Sequence, residues 1–64
     1  MEKPRNVKQA MDSDSYKVVK IRYKFSKRIR VDFAPRFPRS GKFCSFWIDR
    51  DYFERNYPYT YERF

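Results

Sequence analysis

The sequence predicts a small α+β domain, mainly β: a three-stranded antiparallel sheet followed by a short C-terminal helix, with a flexible N-terminal arm. Three observations carry this expectation. Apolar and basic residues alternate from Val19 to Phe25 and resume from Ile29 to Phe33, the period of a strand with two unlike faces. The apolar phase is rich in β-branched and aromatic side chains, which suit a pleated, half-buried surface. Two prolines, a serine and the chain's only glycine then interrupt residues 34–41, where a connection belongs.

Residues 1–15 offer few apolar side chains (Val7, Ala10 and the two methionines) and end in the polar cluster Asp12-Ser13-Asp14-Ser15. They read as a flexible arm, with room for one helical turn over 6–11. Residues 16–64 form the single domain. Strands are expected over 16–25, 29–33 and 42–48. The first two share parity, so a three-residue loop at Ser26–Arg28 sets Phe25 opposite Ile29, Tyr23 opposite Val31 and Ile21 opposite Phe33. On the other face Lys24 then meets Arg30, and Arg22 meets Asp32. The loop lacks a Gly or Asn for a positive φ, so one long strand bent at Lys27 is the competing arrangement. In the third strand Cys44, Phe46 and Ile48 form one side, and Phe43, Ser45 and Trp47 the other. Asp49 is the expected N-cap of a helix over 50–56, with Asp51 in its first turn. Pro58 stops that helix. Tyr57, Tyr59 and Tyr61 alternate in the tail and predict an edge strand, where proline is tolerated.

Sixty-four residues can bury only a marginal core. One cysteine and no histidine leave no intrachain disulfide and no ordinary zinc site. Aromatic residues, at 22% of the chain, must therefore do much of the packing, with a homodimer as a further way to cover a half-buried sheet. Cys44 reads as a small buried hydrophobe. No apolar run approaches the roughly 18 residues of a membrane span. The N-terminus has no hydrophobic stretch resembling a signal peptide. A lone cysteine suits a reducing compartment, so a cytoplasmic location without membrane contact is expected.

The charge distribution carries the functional expectation. Between Lys17 and Lys42 lie ten of the sixteen basic residues, with Asp32 the only acid, while the flanking segments nearly balance. A block this positive repels itself unless a polyanion faces it. The expected function is non-catalytic binding of DNA or RNA, with a possible regulatory role. Lys20, Arg22, Lys24, Lys27, Arg28 and Arg30 would grip phosphates from a basic ribbon, extended by Arg36, Arg39 and Lys42. Phe37, Phe43, Trp47, Tyr59 and Tyr61 are the candidates for stacking or for a partner interface, with packing in the core or at a dimer seam the competing role of Phe37, Trp47 and the tyrosines. Neither a helix-turn-helix pattern nor the aromatic-and-glycine signature of RNA-recognition sheets is present.

Two other classes remain on the sequence. A small phage-like or mobile-element protein could dock the same basic ribbon on an acidic patch of a host protein, anchored by Trp47 and the tyrosines. A metal-independent ribonuclease toxin using Lys, Arg and Tyr is the weaker enzymatic reading. Without histidine, Ser/His and Cys/His catalysis is out of reach. Asp49 and Asp51, the only pair suggesting magnesium, have a structural role at the helix start. No cofactor and no metal are expected.

Overall fold

Short elements of marginal intrinsic stability persist here because each presents an apolar stripe to the same layer. A computed structural model describes residues 3–37 and 41–64. The order is α1 (Val7–Asp12), β1 (Tyr16–Arg22), β2 (Arg28–Pro35), β3 (Cys44–Asp49), α2 (Arg50–Asn56) and α3 (Pro58–Arg63). The strands form an antiparallel sheet in the order β1-β2-β3. The architecture is α+β with more strand than helix, as the alternation predicts.

The central strand supplies the core. Ile29, Val31 and Phe33 are fully buried, and all three lie on one phase of β2. Cys44 is buried beside them, with Phe46 and Ile48 packed against the cluster. Val7 and Ala10 of α1, Phe53 of α2 and Tyr61 of α3 complete the same cluster. All three helices therefore cover one face of the sheet.

Val7–Asp12, expected within a flexible arm, form a docked helix. Asn6 caps it by accepting the Gln9 N–H at 2.8 Å, while the Gln9 side chain accepts the Arg5 N–H at 2.9 Å. That reciprocal arrangement satisfies donors the helix start would leave open. Val7 and Ala10, three residues apart, then reach the core together. Met11 packs against the same cluster, so three apolar side chains seat this short helix.

The tail is helical, where alternation suggested an edge strand. Pro58 takes the first helical position of α3, where its missing N–H costs nothing. The informative spacing is four: Phe53, Tyr57 and Tyr61 fall on one side, with the first two rings 5.3 Å apart. Asp49 does flank α2, but its side chain makes no capping bond; it closes β3 opposite Arg28.

The hairpin forms, with a register two residues from the expected one. Ile21 lies opposite Val31, Arg22 opposite Arg30, and Lys20 opposite Asp32. The connection is five residues long, 23–27, because 26–28 contains no residue suited to the tight loop. β1 also carries a bulge between Val18 and Lys20. One extra residue switches phase, so Tyr16 and Val18 face the helices before it and Ile21 after it. Val19 is left exposed.

Gly41 has a steric reason. A Cβ there would collide with the Tyr16 hydroxyl, which is packed into the same corner as Cys44. Burial, with Cys44 alongside, holds the Tyr16 phenol above its ordinary pKa.

The docking of α1 is directly testable. Ala10→Asp places an unpaired carboxylate in a fully covered position, one of the costliest exchanges available. We expect a loss of about 2 kcal/mol or more, which lowers Tm by roughly 10 °C or more in so small a domain. An unchanged circular-dichroism melt would show that α1 does not pack.

Candidate nucleic-acid interface

With the helices on one side, the other face of the sheet has no covering element among the described residues. Its side chains come from the outward phase of each strand. β1 contributes Lys20 and Arg22, β2 contributes Arg28, Arg30 and Asp32, and β3 contributes Ser45, Trp47 and, at its end, Asp49 opposite Arg28.

A polar network occupies the centre. Arg22 pairs with Asp32 at 3.0 Å, and the Ser45 hydroxyl donates to the same carboxylate oxygen at 2.7 Å. Burial works against ionisation of Asp32. The hydrogen bonds from Ser45 and Arg22, and the charges of Arg22 and Arg30, outweigh it and hold the carboxyl below its ordinary 3.8. Asp32 thus offsets part of the positive charge and orients Arg22.

An aromatic stack adjoins it. Tyr23 and Trp47 lie with ring centroids 5.4 Å apart and planes 21° from parallel. The Arg30 guanidinium sits 5.4 Å from the Trp47 ring centroid, within cation–π range. Both rings remain open to solvent, Tyr23 at 59% and Trp47 at 46%. By strand phase Tyr23 should point toward the helices, like Ile21. Its φ of 56°, the sole positive value at a non-glycine among the described residues, turns the ring outward instead. For a bulky residue this is a strained conformation, costing roughly 1–3 kcal/mol.

The C-terminal helices hold that conformation in place. The Tyr23 carbonyl accepts the Ser26 N–H at 2.9 Å. The Tyr61 hydroxyl donates to the Lys24 carbonyl at 2.9 Å. Arg50 grips the turn twice, by its guanidinium on the Phe25 carbonyl at 2.9 Å and its N–H on the Lys27 carbonyl at 3.0 Å. Four successive or near-successive carbonyls are thus satisfied, and the turn is over-determined.

The sequence-predicted residues divide accordingly. Lys20, Arg22, Arg28, Arg30 and Trp47 come together on the open face, and Lys27 stands exposed in the adjoining turn. Lys24 does not join them: the Tyr23 backbone sends it to the helix side, with Nζ 4.8 Å from the Tyr61 ring centroid. Tyr61 is buried and structural rather than a stacking surface. Arg36 and Tyr59 border a separate groove of about 460 Å³ between α1, β1 and α3, which Arg63 also lines. Phe37, Lys42 and Phe43 are exposed, Phe43 on the phase of Trp47 just before β3. Arg39 lies outside the described residues. Sequence reasoning missed Tyr23, assigned to the apolar phase, because alternation carries no sign of a backbone reversal.

Among the described residues no three acidic, Cys or His side chains gather as a metal site, and no helix is long and apolar enough to cross a membrane.

The Asp32 network predicts an acid response. Because its native pKa lies below the ordinary value, its stabilisation is complete above that value and vanishes as pH falls through the lower native one. Urea midpoints should drop across this window in the parent protein, and Asp32→Asn should lack that component. Identical acid profiles would show that the network contributes no stability.

In comparisons with protein-family models, curated proteins and solved structures, nothing matches this chain.

Proposed function

We propose that this chain is a small, non-catalytic nucleic-acid-binding protein that grips phosphates with the uncovered face of its sheet. The observation carrying this reading is the pair Arg22 and Arg30, set directly opposite each other across β1 and β2. Like charges in that relation destabilise a sheet. One turns to Asp32 and the other to Trp47, yet Lys20 adds further positive charge beside them, and Arg28 does so opposite Asp49. A row of phosphates relieves this repulsion and releases its own counterions in doing so. Arginine favours such a role because its planar fork matches phosphate oxygens. The sequence points the same way, with no histidine for acid–base work.

An acidic patch on a host protein is the second reading. It is favoured by the exposed Trp47 and Tyr23 beside the half-buried Arg30, the residue types that dominate interface hot spots. A pull-down repeated after nuclease digestion separates the two, since only a protein partner survives it.

A salt titration with a labelled oligonucleotide tests the first reading. Four phosphate contacts should give a slope of log K against log salt of about −2.8 on a single strand and about −3.6 on a duplex. Arg30→Ala should flatten the slope and weaken binding. Asp32→Asn removes the opposing charge and should strengthen binding. A salt-independent affinity would overturn the proposal.

A further inference from the structure

We infer that the nucleic acid this face takes is single-stranded, with an unpaired base stacked on Tyr23. This deepens the preceding reading and rests on it. The observations concern the aromatic stack rather than the charge. Several rings of this small domain are exposed, Phe25, Phe37, Phe43 and Tyr59 among them, but Tyr23 and Trp47 are the exposed pair stacked on each other on the face that holds its cations. Exposed apolar surface of this kind, beside polar groups, marks a place where something docks.

The backbone strengthens the point. Tyr23 adopts a conformation that Gly or Asn would take with less strain, and the effect is to move its ring from the helix side to the open side. Strain held by the surrounding structure is a feature of ligand sites. Here Tyr61 and Arg50 supply that hold from the opposite layer. The ring is therefore presented on a fixed turn.

The chemistry of the stack selects its occupant. Trp47 already has Arg30 over its ring and Tyr23 stacked with it at 5.4 Å. Tyr23 is the more exposed of the two rings and offers the surface on which a further planar group continues the column. A base in a duplex has both faces covered by its neighbours. An unpaired base has a free π-face, which aromatic side chains take without regard to sequence. Lys20 and Arg22 lie just before Tyr23 along β1 and meet the phosphates flanking that base.

Trp47, the chain's single tryptophan, reports on the event. Binding is measured by anisotropy and by Trp47 emission, using a 5′-labelled thymidylate 12-mer and a 12-base-pair duplex at one fixed low salt. The single strand should bind at least about tenfold more tightly, and it should change Trp47 emission where the duplex does not. Tyr23→Asn keeps a residue tolerant of the left-handed backbone but removes the ring; it should weaken single-strand binding about tenfold and leave the duplex unaffected. Tyr23→Phe keeps the ring and should bind as the parent does. Duplex binding as tight as single-strand binding, with unaltered Trp47 emission, would overturn the single-strand assignment alone. So would full single-strand affinity in Tyr23→Asn. Binding to neither oligonucleotide would overturn the nucleic-acid reading itself.

Discussion

One-sided burial governs this molecule. A three-stranded sheet has two faces, and 64 residues supply helices for one of them. Ile29, Val31 and Phe33 in the central strand bind the layers together: they are fully buried, and α1, α2 and α3 each send a side chain into their cluster. Burying side chains of this size stabilises by roughly 1.5–3 kcal/mol each, a large share of what a domain this small can hold. The opposite face is left to polar and aromatic groups as a consequence. Its composition is therefore free of the demands of the core and can follow those of a ligand.

Two local irregularities decide what each face contains. The bulge at Val19 lets Tyr16, Val18 and Ile21 all contribute to the helix side, although a regular strand would divide them. The left-handed backbone at Tyr23 then reverses the next pair, sending Tyr23 outward and Lys24 inward. Both are departures from ideal geometry, and each trades ladder regularity for placement of a particular side chain. The second is sustained from a distance. Arg50 and Tyr61, far along the chain, close the hydrogen bonds of the turn, so the C-terminal helices serve the core and the open face together.

On the open face, charge is arranged rather than simply accumulated. Asp32 binds Arg22 and accepts from Ser45, and Arg30 is drawn over Trp47. These contacts give the two facing guanidinium groups different partners. Arg22 keeps 42% of its side chain exposed within its pair, and ion pairs near a surface in water contribute little individually. In the proposed reading, a folded sheet with mutually repelling cations is tolerated because its partner completes it.

The extended character of β1 to β3, the helix after Asp49 and the concentration of cations around the first hairpin were all legible in the residues alone. Period and composition are local properties, and they were sufficient for Ile29, Val31, Phe33 and Cys44. The tertiary structure decided the rest. The register and the roles of Lys24, Tyr23 and Tyr61 depend on a backbone reversal and on carbonyls held by residues up to 37 positions away. The seating of α1 depends on a core assembled from every later element. Alternation reports which side chains share a phase of a regular strand; where one residue is added or one φ changes sign, only the packing of the opposing layer decides which face each side chain takes.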